Sequence, residues 1–410
     1  MLTRAQMTGL FDIGVTAADP RAAVQDALRD TPLQLPDGGR LYALAIGKAA
    51  RAMMQAALSL LPTPQAALVI TNYENADSLD GARVMAAGHP VPDENGLQAG
   101  LAVQKMLART RADDLVLVLV SGGGSALVPA PVPGLSLSDK AQVNDLLLGA
   151  GLDIVTMNAV RQHLSRMKGG GLLRMAAPAQ VRALILSDVI GDDLRAIASG
   201  PTVAPIATRD EVRALLAGSG LWNRLPQAAH DALTRTEDTS PLPEADNRLI
   251  GSNRMSLDAM ARACENASIV SDALTGDVGD AAAKIVQTVR DGGGPRVALF
   301  GGETTVRLRG TGRGGRNQEL ALRVAAELDG VAGWRFLSGG TDGRDGPTDA
   351  AGAMVDGDTL ARIRAAGGDP AALLANNDSY HALSLADDLL MTGATGTNVA
   401  DLQILCIDAP

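Results

Sequence analysis

Apolar positions along this chain follow two patterns, and their alternation predicts its elements. Short, nearly unbroken apolar runs occur at 41–46, 115–120, 181–186, 296–300, 334–337 and 401–407. They are too short to cross a membrane. Each predicts a strand, and 115–120, six aliphatic residues without a break, is too continuous for one wet face and predicts burial on both sides, as in a parallel sheet. Between them the apolar residues recur at helical spacing, predicting helices over 4–17, 20–30, 49–60, 94–111, 138–148, 153–167, 208–216, 226–233, 253–265 and 279–290, and one opened by the run 310–319 and continuing through 328. The run 305–309 alternates with arginines and predicts a half-exposed strand. Strand and helix in alternation predict an α/β protein.

The polar residues gather where these strands end. The run 115–120 passes into Ser121, Gly122, Gly123, Gly124 and Ser125, where absent Cβ atoms let backbone N–H groups turn toward an anion. A plain strand-to-helix turn explains one such triplet equally well. Other charged glycine turns follow: Gly47-Lys48, Lys168 before Gly169–Gly171, Gly301-Gly302-Glu303, and Asp342 and Asp345 among glycines. Lys48 reads alternatively as a solvated surface charge, and the Lys168 run as the basic end of a helix with a glycine stop. Asp188, just past the run 181–186, sits where ligands bind open α/β sheets and where Mg²⁺ would find a carboxylate, though an acid there also caps helices. The run Gly310-Thr-Gly-Arg-Gly-Gly315 matches the dinucleotide fingerprint only in letters, because no buried strand precedes it. Arg313 and Arg316 beside those glycines suit capture of carboxylate or phosphate.

Composition narrows the partners. A net charge of −10 argues against nucleic acid or an anionic membrane, so an anionic small ligand needs local positive charge. The 36 cations include only five lysines, which makes Lys48 and Lys168 conspicuous. Aromatics are 2%, so the cores are aliphatic. Cys264 and Cys406 have no metal-ligand spacing, and no two of the four histidines lie at i,i+4. With no signal core and no spanning run, a cytoplasmic location is expected. The polar stretch 236–247 is the expected boundary between domains at 1–240 and 248–410.

Taken in order, Ala45-Ile-Gly-Lys48, Ser121-Gly-Gly-Gly-Ser-Ala126, Met167-Lys-Gly-Gly-Gly171, Leu186-Ser-Asp-Val-Ile-Gly-Asp192, Gly301-Gly-Glu-Thr304, Gly314-Gly-Arg-Asn-Gln-Glu319 and the run from Thr341-Asp-Gly to Gly352 resemble the glycerate 2-kinase family over nearly the whole chain. The C-terminal half of that family is the MOFRL domain. The resemblance implies a Rossmann-like, flavodoxin-like parallel-sheet domain, a smaller C-terminal α/β domain, and a cleft where ATP–Mg²⁺ meets D-glycerate. It also implies transfer of the γ-phosphoryl group to the 2-hydroxyl, with the residues matching Lys48 and Arg316 in catalysis.

The residues suit that chemistry, since phosphoryl transfer asks a protein mainly to position reactants and neutralise charge. Lys48, Arg316 and Asp188 are the expected catalytic residues. Ser121, Gly122, Gly123, Gly124, Ser125, Lys168, Asn253 and Glu303 are expected to bind the nucleotide, and Asp188 and Asp342 to hold Mg²⁺. A monomer or homodimer is expected. The rival reading, an NAD(P)H-dependent hydroxypyruvate reductase, needs a nicotinamide site; a non-catalytic sensor would bind without turnover.

Overall fold

The buried apolar runs form two sheets. The computed structural model describes residues 1–236, 238, 240–291 and 296–408, and its contacts divide them into two units. One comprises Pro20–Ser187 and Asp192–Ile250; the other comprises Met1–Asp19, Asp188–Gly191 and Gly251–Pro410.

The first unit holds β1 (Leu41–Ile46), β2 (Ala66–Asn72), β3 (Arg83–Ala87), β4 (Leu115–Val120), β5 (Gln180–Leu186) and β6 (Ala245–Gly251), in the spatial order β3-β2-β1-β4-β5-β6. The pairs β1–β2, β1–β4, β2–β3 and β4–β5 are parallel. All residues of β1 and β4 are buried, as runs apolar on both faces require. Strand order reverses between β1 and β4, and in such sheets the crevice beyond their carboxyl ends is the expected ligand site. Helices Leu137–Gly149, Ile154–His163, Arg209–Gly218 and Gln227–Thr234 pack around Val143, Leu147, Val160, Leu216 and Leu233 as a satellite core of the same unit.

The second unit is built on β7 (Ala267–Ser271), β8 (Gly276–Asp277), β9 (Val297–Gly302), β10 (Thr304–Thr305), β11 (Trp334–Gly340), β12 (Gly352–Asp356), β13 (Leu389–Leu390) and β14 (Asp401–Ile407). Its main sheet runs β13-β12-β11-β14-β9-β7 and is mixed: β14 pairs antiparallel with β11 and β9, while β7 and β9 are parallel. Strand residues alternate between two cores. Phe300, Phe336 and Leu405 face helices Val278–Arg290 and Arg316–Glu327; Leu299, Leu337 and Ile404 face helix Asn253–Ala263 and the first helix, Arg4–Thr16. That first helix buries Met7, Leu10 and Phe11, each worth about 1.5–3 kcal/mol.

Several elements differ from their sequence-based limits. The helix expected over 153–167 is capped by Asp153 but ends at His163, because Ser165 bridges Pro131 and the Arg166 N–H donates to Ala130 O at 2.8 Å. The strand expected at 305–309 is only the two-residue β10: the Arg309 and Gly310 N–H groups donate to Asn377 Oδ1 rather than to a strand. Of the polar stretch 236–247, residues 237 and 239 lie outside the described residues, and its last part is already strand from Ala245. Among the described residues no helix is long and apolar enough to cross a membrane.

Candidate active site

At the carboxyl ends of β1 and β4 the two turns interlock through glycine. Gly47 has φ +128, and a Cβ there would run into Ser121, whose hydroxyl accepts the Ala49 N–H at 3.1 Å. The Lys48 N–H donates to Gly122 O at 2.9 Å, so the lysine is tied to the β4 turn by backbone. It sits in the turn ahead of helix Ala50–Leu58 rather than on the helix. Gly123 has φ +84, and a Cβ there would lie 3.0 Å from the His89 ring and 3.3 Å from Lys48 Cγ.

What the turn leaves unmade defines its chemistry. Ser121 N–H donates to Ile46 O and Ala126 N–H to Gly123 O, but among the described residues no acceptor is found for the N–H groups of Gly122, Gly123, Gly124 and Ser125. Buried backbone donors are nearly always paired. Four in succession around a left-handed glycine, with Gly122 and Gly124 buried, form a concavity of the kind that can take an anion.

Lys168 lies behind this turn, 7% exposed, and its Nζ donates to Ser125 Oγ at 2.7 Å. Ser125 Oγ meets Ser199 Oγ at 2.9 Å, and Ser199 Oγ meets Asn158 Oδ1 at 3.3 Å. Gly169 and Gly170, both left-handed, donate to Ser199 O and Gly200 O. The glycine run therefore serves close approach to that loop and does not stop a helix. Burial, reinforced by Lys140 and Arg161, pushes the Lys168 ammonium well below the usual lysine range.

The second unit gathers a different set. Arg316, first residue of helix Arg316–Glu327, donates through Nε and Nη2 to Asp401 at 2.7 and 3.0 Å and pairs through Nη1 with Glu303 at 2.9 Å. Burial works against its charge, yet the Asp401 hydrogen bonds and the fields of Asp401, Glu303 and Asp345 raise its pKa further. The fork geometry is that of an ionised pair, although burial alone would push the fully buried Asp401 carboxyl up. Asp345 accepts the Asn317 and Gln318 N–H groups at 3.1 and 2.8 Å, anchoring the start of the same helix. Burial nevertheless pushes its carboxyl up to about 7. Asn253, buried, spends its amide N–H groups on Val399 O and Asp401 O, both at 2.8 Å, and so holds the strand that carries Asp401.

Asp342 is exposed, with Oδ1 accepting the Arg344 N–H at 3.0 Å. A Cβ at Gly340 would lie 3.3 Å from Asp342 Oδ1 and 3.6 Å from Asp401 Oδ1, so the two carboxylates share one corner. Asp188 is half-buried, two residues beyond β5. Among the described residues no group of three His, Cys, Asp or Glu is set to hold an ion. Gly310 and Gly312 owe their lack of a side chain to contact with Asn376 and Asp378.

Thus Lys48, Ser121–Ser125 and Lys168 form one cluster, and Arg316, Glu303, Asn253 and Asp342 another. Sequence reasoning noted Asp345 among glycines without giving it a role, and gave none to Asp401, His89, Lys140 and Arg161. The stiff run Gly88-His-Pro and the rarity of lysine were signals for two of these; Asp401 gave none, being one acid at the start of an apolar strand.

Residues 6–234 match a family model described as a domain of unknown function, DUF4147, and residues 296–401 match the MOFRL family. A glycerate 2-kinase of Pyrococcus horikoshii is 38% identical, over 96% of this chain and 94% of its own. An Agrobacterium vitis protein bearing the provisional name hydroxypyruvate reductase is 41% identical over 97% of this chain and 93% of its own. The crystal structure of a glycerate kinase from Thermotoga maritima superposes with a TM-score of 0.91 at 37% identity, covering 98% of both chains.

Proposed function

The chain belongs to the glycerate kinase family and phosphorylates glycerate, and we propose that it moves the γ-phosphoryl group of ATP to the 2-hydroxyl of D-glycerate, giving 2-phospho-D-glycerate. The observation that carries this reading is the row of four N–H groups at 122–125, unpaired among the described residues, beside Lys48 and at the switch point of a parallel sheet.

In this reading the 122–125 turn holds the nucleotide's phosphates by backbone, and Lys168 steadies the turn through Ser125. Lys48 neutralises charge on the equatorial oxygens of the transferring group, where it is worth most. Arg316 has its fork committed to Asp401, so it acts through its Nη1 edge, where Glu303 is exposed enough to give way. Mg²⁺ enters with the nucleotide and needs only one or two protein carboxylates, a requirement that Asp188 and the exposed Asp342 fit. When bound, the ion supplies charge neutralisation across the phosphate oxygens.

An ADP-release assay with D-glycerate, L-glycerate and other small hydroxy acids tests the reading, with phosphorus NMR of the product to separate 2- from 3-phosphoglycerate. ADP release on D-glycerate with the 2-phosphate as product is expected. No ADP release, or a 3-phosphate, refutes it. The name of the Agrobacterium relative favours a reductase. Against it, the glycine run 310–315 is packed on residues 376–378 and follows no buried strand. Oxidation of NADH by hydroxypyruvate would revive that reading.

A further inference from the structure

The satellite helical core carries a cavity of about 320 Å³ that opens beside Gly123 and Ser125. Three cations line it: Lys140 from helix Leu137–Gly149, Arg161 from helix Ile154–His163, and Lys168; His89 closes the side next to Gly123. Lys140 Nζ donates to Pro129 O at 2.6 Å, Lys168 Nζ to Ser125 Oγ, and Arg161 to Asn144 Oδ1. Among the described residues none of the three forms an ion pair. The nearby helix-start acids are spent locally, Asp139 on Ser136 and Asp153 on Thr156. One carboxylate, Asp145, lines the wall and is exposed.

Lys168 is buried and Lys140 and Arg161 are half-buried with only neutral acceptors, an arrangement that is costly unless something negative completes the set. The remaining wall is apolar, from Val91, Pro92, Leu137, Ala141, Val143 and Leu164. A polyphosphate tail has no carbon to lay on such a surface. A short hydroxy acid suits all three features: carboxylate to the cations, carbon chain to the apolar wall, hydroxyl to Asp145 or Asn144. We infer that this cavity is the acceptor pocket, in which Lys140 and Arg161 bind the carboxylate of a three-carbon hydroxy acid while the neighbouring 122–125 turn takes the nucleotide. The inference rests on the kinase reading above and adds which residues recognise the acid. Burial together with Arg161 pushes the Lys140 ammonium down to about 7, in keeping with a cation awaiting its counter-charge.

Lys140→Met and Arg161→Met test it, with steady-state kinetics in both substrates and calorimetric titration of D-glycerate without nucleotide. Losing a charge-assisted hydrogen bond should raise KM for glycerate about 10–100-fold and abolish the calorimetric signal, with KM for ATP within about twofold. Because each change removes an uncompensated cation, thermal stability should hold or rise; a falling melting temperature with unchanged KM for glycerate would make the cations structural and overturn the inference. A rise in KM for ATP alone would assign the cavity to the nucleotide and also overturn it. If wild-type protein binds D-glycerate in the calorimeter but releases no ADP, the kinase reading fails while the pocket stands. If it turns over glycerate and the variants do so unchanged, the pocket fails while the kinase reading stands.

Discussion

The two charged clusters use the same residue types to opposite ends. Around Arg316 the guanidinium is fully paired: Asp401 takes the fork and Glu303 takes Nη1, while Asp345 takes two backbone N–H groups and Asn253 braces the strand with its N–H groups, its Oδ1 lacking a partner among the described residues. Around the β4 turn little is answered. Four N–H groups lack acceptors, and Lys140, Arg161 and Lys168 are held by neutral oxygens. A satisfied network holds its own geometry and costs little in the empty protein. An unsatisfied one stores its attraction for a ligand, at the expense of the unliganded fold. In the reading proposed above, the comparison separates a cluster that gives form from one that waits for charge.

The largest expected effect comes from the waiting side. Lys48→Ala should lower kcat about 10²–10³-fold with an unchanged circular dichroism spectrum, as for loss of one transition-state donor. Near-normal turnover would remove Lys48 from the chemistry. On the satisfied side, Arg316→Ala strands the fully buried Asp401 and should cost about 3–5 kcal/mol in denaturant unfolding. If its stability is untouched, the two clusters do not differ as described. Gly123→Ala forces a side chain into left-handed backbone against His89, and about 1–2 kcal/mol of strain should appear as a raised KM for ATP.

The smallest effects are in pH. Anion binding favours protonated Lys140, so KM for glycerate should climb as pH rises through about 7, and Lys140→Met should flatten that climb. The groups facing Lys140 in this titration are Arg161, Lys168, His89 and Asp145. Asp345 gives the opposite cluster its own signature. Its folded pKa, about 7, lies above the unfolded value, so its contribution to stability is complete below the ordinary aspartate range and is lost as pH rises through about 7. Asp345→Asn should reduce this part of the stability-versus-pH profile in thermal melts.

Much of the parallel sheet was legible because its strands announce themselves. Six apolar residues at Leu115–Val120 can be buried only on both faces, and a glycine triplet after them can only turn. Lys48, Ser121 and Ser125 stood out as rare or polar residues at the ends of such strands, and Lys168 as a rare lysine before three glycines. The first helix was legible as a helix but not in its placement. Its stripe of Met7, Leu10 and Phe11 would cover any apolar face, and here it covers the sheet containing β14, nearly four hundred residues away. The strand expected at 305–309 failed because Asn377 captures the backbone that a neighbouring strand would have used.

The sequence by itself determined the α/β alternation, the double burial of β1 and β4, and the glycine turns that end them, because periodicity and missing Cβ atoms act within a few residues. Only the tertiary structure decided which charges are paired. Asp401 meets Arg316 across 85 residues, and Lys140 and Arg161 come to share a cavity in which, among the described residues, neither is ion-paired. Electrostatic satisfaction depends on through-space distance and burial, which local sequence does not specify.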